Sequence, residues 1–186
     1  MSHPAQHFSG SYAEARAKFL DAAADRGAQV QNFTMDGHRG ALGEVLAMDV
    51  ARLGPADATR LVVVTSGTHG PEGFCGSGCQ VATLRDDELL ARFDAAKIAL
   101  LLVHAVNPHG FSHLRRTNED NIDLNRNHID FGQALPVNEG YADVDPLAIP
   151  ATWPPGAADE AALAAYIEQH GLRAYRTAVS KGQYTV

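Results

Sequence analysis

Cysteine is almost absent from this sequence. Two residues, Cys75 and Cys79, stand among 186, so no disulfide framework holds the chain, and its thiols suit a reducing compartment. A basic tract is missing too. Lys and Arg number 15 against 22 Asp and Glu, for a formal net charge of −7; this argues against nucleic acid and anionic membrane as partners. Long apolar runs are also lacking, since the longest, Ile98 to Val103, is far too short to span a bilayer. Residues Met1 to Gln6 have neither a basic nor an apolar stretch, so no secretory signal is expected and the expected compartment is the cytoplasm. Aromatics are few, at 7% with one Trp, yet hydrophobic residues make up 45% and charged residues 20%. That is ordinary globular usage and excludes disordered, fibrous and repeat readings. The length predicts a single domain, 1–186, able to bury a core without staples.

What is present reads as α/β. Ser11-Tyr12-Ala13-Glu14 is a capping box that opens an amphipathic helix, with Tyr12, Ala15, Phe19 and Ala22 on one face. Short strand-like runs from Ala28 to Val50 are broken at Asp36-Gly37, a hairpin turn signal. Leu61–Thr65 and Ile98–Val103 are continuous apolar runs, the pattern of strands covered on both faces. Between them Gly78 to Phe93 predicts one helix, which makes a βαβ crossover. A further helix begins near Ala158 and is interrupted at Gly171. The expected fold is a mixed, largely parallel sheet flanked by helices.

Two segments carry chemistry. Ser66-Gly67-Thr68-His69-Gly70-Pro71-Glu72-Gly73 follows the first central strand, where open α/β sheets place ligands. A His and a Glu three apart can converge on one metal ion, and zinc accepts both donor types. The bland alternative is a glycine turn whose Glu72 complements a helix N-terminus. The order of glycines does not match a phosphate loop, and Gly76-Ser77-Gly78 does not match a nucleophile elbow. The second segment follows the second strand: Asn107-Pro108-His109-Gly110, then Arg115-Arg116, then Asp123-Leu124-Asn125-Arg126-Asn127. Arginines and amides grouped in an acidic chain suit the grip of a substrate carboxylate; surface salt bridges are the alternative. Adjacent strands would bring both segments to one crevice.

Taken together, these motifs resemble the zinc carboxypeptidase family, the metallopeptidases of carboxypeptidase A type. The resemblance runs from Phe8 to Thr185 and is to a bacterial branch. It implies zinc held by His69 and Glu72, with Arg116 polarising the scissile carbonyl and Asn125 with Arg126 binding the terminal carboxylate. It implies small peptides as substrates. Aspartoacylase-like enzymes share the His-x-x-Glu and Asn-Arg elements, which leaves acyl amino acids open as substrates. A non-catalytic degenerate domain is the third reading.

The family also uses a third zinc ligand, a His, and a general-base Glu, both later in the fold. Neither motif is recognisable here. His128 sits where the family usually has an aromatic residue, and His170 reads as a helix C-terminal residue. His104 reads as a core histidine. His109 and His113 are four apart, but Pro108 and Gly110 argue against a helix that would align them. Cys75 and Cys79 read as small buried hydrophobes. The chain is therefore expected to correspond to the N-terminal half of such a fold, with exposed sheet edges through which copies would associate.

Overall fold

The computed structural model describes residues 3–181 and 183. Met1, Ser2, Gly182, Tyr184, Thr185 and Val186, which include the last residues of the resemblance, lie outside the described residues. Two compact units divide the chain, one running through His128 and one from Ile129 onward.

The first unit holds α1 (Tyr12–Asp25), β1 (Gln29–Arg39), β2 (Val45–Leu53), β3 (Arg60–Thr65), α2 (Gly70–Leu84), α3 (Asp87–Ala95), β4 (Ile98–His104) and α4 (Pro108–His113). The strands form one sheet in the order β1-β2-β4-β3. β1 pairs with β2 and β2 with β4 in antiparallel fashion, and β3 pairs with β4 in parallel. The α/β class and the mixed sheet are as expected. Parallel pairing is confined to the β3–β4 crossover, because β1 and β2 form a hairpin.

α1 starts where its residues require it to. Ser11 Oγ accepts from the Glu14 amide at 3.2 Å, while the Glu14 carboxylate accepts from the Gly10 amide at 2.8 Å. The first bond satisfies a donor that a helix start leaves open, and the second ties the residue before the cap to the first turn. The apolar face of α1 then packs Phe19, Ala22 and Ala23 against Ala51 of β2, Val81 and Leu84 of α2, and Leu100 and Leu102 of β4. A second cluster joins Tyr12, Ala15, Leu46, Ala105 and Phe111. Each of the larger side chains contributes about 1.5–3 kcal/mol by its burial.

Polar groups are also buried here. Asp49 is fully buried and takes Arg16 Nε at 2.7 Å, Arg16 Nη2 at 3.0 Å and Asn32 Nδ2 at 2.5 Å. His104 stands opposite Asp49 in the β2–β4 register and is also fully buried.

Several elements differ from the sequence reading. The helix expected over 78–93 is two helices, because the Asp86 side chain accepts from the Leu89 amide at 2.9 Å and so starts α3 afresh. The hairpin turns at residues 40–44, not at Asp36-Gly37, with Gly40 N–H donating to Glu44 O at 2.9 Å. Asp36-Gly37 lies inside β1, in a stretch where the register slips between Thr34 and Arg39. The apolar run of β3 predicts a strand covered on both faces, yet all six of its residues are exposed. It is the edge strand, paired to β4 alone, and the core gathers on β2 and β4. Cys75 and Cys79 lie on the exposed side of α2 and are not buried.

The second unit comprises α5 (Tyr141–Ala148), α6 (Ala157–His170) and α7 (Leu172–Ser180). Gly171, with φ of +85°, separates the last two, a conformation that favours glycine. Val144 and Ala178 are its buried apolar residues, and Asn138 Nδ2 donates to Ala178 O at 2.7 Å. Tyr166 packs on the ring of His170 at 4.4 Å. Among the described residues, no helix is long and apolar enough to cross a membrane.

Candidate metal centre

The segment after β3 is pressed against the segment after β4. Ser66 N–H donates to Val103 O, Val106 N–H to Ser66 O, and Asn107 N–H to Gly67 O, each within 3.0 Å. α2 then begins with Gly70 N–H donating to Arg115 O at 3.0 Å. Glycine is required at this contact: a Cβ on Gly70 would stand 1.8 Å from Gly110 O. Asn107 is buried and caps α4, its Oδ1 accepting from the Gly110 amide at 2.7 Å. The Asn-Pro-x-Gly motif thus ties the two segments together, and Gly110 belongs to the contact.

The loop after α4 is shaped by its own amides. Asn118 Oδ1 accepts from the Asp120 and Ile122 amides at 3.1 and 2.8 Å, and Arg115 donates to Asn121 Oδ1 at 2.8 Å. This folding brings Asp123 to His69. His69 Nε2 lies 3.1 Å from Asp123 Oδ1, and His69 Nδ1 lies 3.2 Å from Glu72 Oε1. Arg116 Nε donates to Asp123 Oδ2 at 2.9 Å, and the Asn125 amide donates to Asp123 Oδ1 at 2.9 Å. The imidazole is largely enclosed, 12% exposed, and Asp123 is 19% exposed; Glu72 at 64% and Arg116 at 52% face solvent.

The charges explain each ionisation. Burial opposes ionisation of Asp123, but hydrogen bonds from Arg116, His69 and the Asn125 amide outweigh it and hold its pKa below the usual value. The backbone N–H of Glu72 lowers its pKa, against slight burial, with His69 and Arg116 adding to the effect. Both carboxylates are therefore anionic at neutral pH.

His69 faces a carboxylate oxygen at each ring nitrogen, and a neutral imidazole has a single N–H. Asp123 is the better-held acceptor, so the proton belongs on Nε2, as carboxylates fix the tautomer of metal-ligating histidines. Nδ1 then presents a lone pair beside Glu72 Oε1. Either a second proton or a cation must relieve that contact. Two donors on a tetrahedral zinc stand about 3.3 Å apart, close to the 3.2 Å found here. The residues present fit two donors of a zinc ion and the carboxylate behind one of them. Among the described residues, no group of three His, Cys, Asp or Glu side chains is arranged to hold a metal.

Of the residues expected from sequence, His69, Glu72 and Arg116 come together around Asp123. Asn125 enters through its backbone. Arg126, in the short turn Leu124–Arg126, donates from Nη1 to Asn125 O at 3.0 Å and is exposed. The sequence points to Asp123 only as a motif residue and an ion-pair partner for the arginines, which Arg116 bears out, and not as a partner of His69. Its signal was its place two residues before Asn125, where its side chain starts the turn and is thereby aimed back at His69.

A serine, a histidine and an aspartate also gather in the core, at Ser77, His104 and Asp49, but not as a nucleophilic triad. Ser77 Oγ lies 2.9 Å from His104 Nε2. His104 Nδ1 has no partner, because Asp49 is taken by Arg16 and Asn32. All three residues are buried.

A model of the family described as "Protein of unknown function (DUF2817)" matches residues 8–186. No curated protein matches the sequence. Among solved structures, the one described as "Structural and kinetic characterization of Porphyromonas gingivalis glutaminyl cyclase" is similar, at 14% identity and a TM-score of 0.31. That match covers 56% of this chain and 48% of the cyclase chain, so this chain spans about half the length of that relative.

Proposed function

The chain belongs to the DUF2817 family, and within that family we propose that it is a zinc-dependent, metallocarboxypeptidase-like hydrolase of peptide or amide bonds next to a free carboxylate. The observation that carries this reading is the His69 ring, held between Asp123 and Glu72 with a carboxylate oxygen at each ring nitrogen. Zinc would be held by His69 Nδ1 and Glu72, and when bound it supplies Lewis-acid polarisation.

The remaining roles belong to the chain's own residues. Asp123 keeps the His69 proton on Nε2 and fixes the ring plane. Arg116 is tied to Asp123 through Nε alone, so its terminal N–H groups can meet the oxygen that gains charge as an amide is attacked. Its solvent exposure suits a group that meets substrate. Asn125 and Arg126 offer an amide and a guanidinium for the substrate carboxylate, which a planar fork binds in bidentate fashion. Supporting this assignment, the turn Leu124–Arg126 is started by the same Asp123 that holds His69.

The test pairs ligands with free and amidated C-termini. In the zinc-loaded chain, Arg126→Ala should weaken binding of the free acid roughly tenfold, the worth of one charged hydrogen bond, and leave the amide unchanged. Equal weakening of both would overturn the carboxylate grip. Cleavage of N-acyl amino acids but not peptides would favour the aspartoacylase-like reading. Binding without turnover of either would favour a degenerate domain.

A further inference from the structure

Three of the nine histidines, none of them part of the His69–Glu72–Asp123 set, meet one another. The His109 and His113 rings lie 4.4 Å apart with planes 31° from parallel, and the His38 ring from β1 stands edge-on to His109 at 6.1 Å. The sequence argued against a helix that would align His109 with His113. α4 forms nonetheless, because Pro108 occupies its first turn, where a missing N–H costs nothing, and Asn107 caps it. One helical turn therefore places both rings on the same face. Phe111, fully buried between them in sequence, anchors the other face in the core.

The ring nitrogens are not equivalent. His113 Nε2 lies 3.0 Å from Arg39 O. A carbonyl only accepts, so Nε2 carries the proton and Nδ1 keeps its lone pair. Backbone carbonyls orient metal-ligating histidines in this way. His109 Nδ1 is buried without any hydrogen-bond partner, a state that calls for an explanation such as an ion. Glu44, the carboxylate beside His113, is engaged by Ser112 Oγ at 2.6 Å and the Leu42 amide at 2.9 Å.

We propose that His109 and His113 form a two-imidazole chelate for a divalent transition-metal ion on α4, using none of the side chains of the His69 arm. No third donor converges with them among the described residues, so the chelate is open and its other positions belong to water. Imidazole pairs of this kind favour copper(II) over nickel(II) and zinc(II). The inference does not rest on the hydrolase reading, since it uses none of the same side chains.

Copper(II) is the probe. The full chain carrying His69→Ala should still bind one copper(II), with an electron paramagnetic resonance signal showing nitrogen couplings from two imidazoles. Adding His109→Gln or His113→Gln should weaken that binding about a hundredfold, the advantage of a tethered second ligand. Affinity unchanged by both Gln variants would overturn the proposal. Unsubstituted chain provides a readout independent of variant folding. Copper(II) added below one equivalent should first broaden the ring proton resonances of His109 and His113. First broadening at other histidines, with these two sharp, would overturn it equally.

Discussion

Replacing His104 by Gln should flatten the acid limb of the stability curve. His104 is fully buried, stacked on Phe19 at 4.6 Å and tilted against Phe111 at 6.1 Å. Burial is the largest influence on it and, joined by Arg16, outweighs the opposing pull of Asp49, bringing its pKa down to about 4. The unfolded chain has a His pKa of about 6.5. The native state thus keeps the ring neutral, while the unfolded state takes up a proton first. Stability is complete above the unfolded value and falls as pH drops from about 6.5 towards 4. A gap of roughly 2.5 units at about 1.36 kcal/mol each makes the loss about 3 kcal/mol. Gln does not titrate and can still reach Ser77 Oγ. Urea unfolding followed by circular dichroism, stepped from pH 7 to 4, should show wild type losing about 3 kcal/mol more than His104→Gln. Parallel curves would refute the claim that burial holds this ring neutral.

Other perturbations test separate parts of the structure. Arg16→Met strands the fully buried Asp49 carboxylate, so chemical denaturation should show a loss of about 3–5 kcal/mol; a loss below about 1 kcal/mol would mean that Asn32 alone satisfies it. Gly70→Ala drives a Cβ into backbone, not into a yielding side chain. It should lower the thermal midpoint and weaken metal binding at His69 together, and a variant equal to wild type in both would contradict the packing of α2 on α4. The exposed β3 edge, with Leu61 to Val64 uncharged and uncovered, is expected to pair between copies. Val63→Lys should shift sedimentation towards monomer, and an unchanged distribution would remove β3 from any self-association.

Much of this was legible in residue order. The capping box of α1, the strands β3 and β4 as strands, and the last two helices lie where local chemistry puts them, since each signal is short-range. The His-x-x-Glu pair and the Asn-Pro-x-Gly motif likewise announced the two segments that meet. Contacts that depend on the path of the chain were not legible. Asp123 is 54 residues from His69, and only the amide-built loop between Asn118 and Asn125 brings it there. The run Leu61–Val64 has the composition of a covered strand, but composition does not say which neighbours arrive, and in this unit none arrives beyond β4. Asp86 broke a helix whose apolar period continued across it, because one side-chain cap outweighed the periodicity.

The central claim is that His69 and Glu72 form a metal arm whose geometry Asp123 sets. The most direct measurement is zinc affinity by competition with a chromophoric chelator, in a chain carrying His109→Gln and His113→Gln so that only the His69 arm is read. The account predicts one zinc per chain, loss of the site in His69→Ala, and roughly 10–100-fold weaker binding in Asp123→Asn. Zinc retained in His69→Ala, or bound by Asp123→Asn as tightly as by its parent, would contradict it.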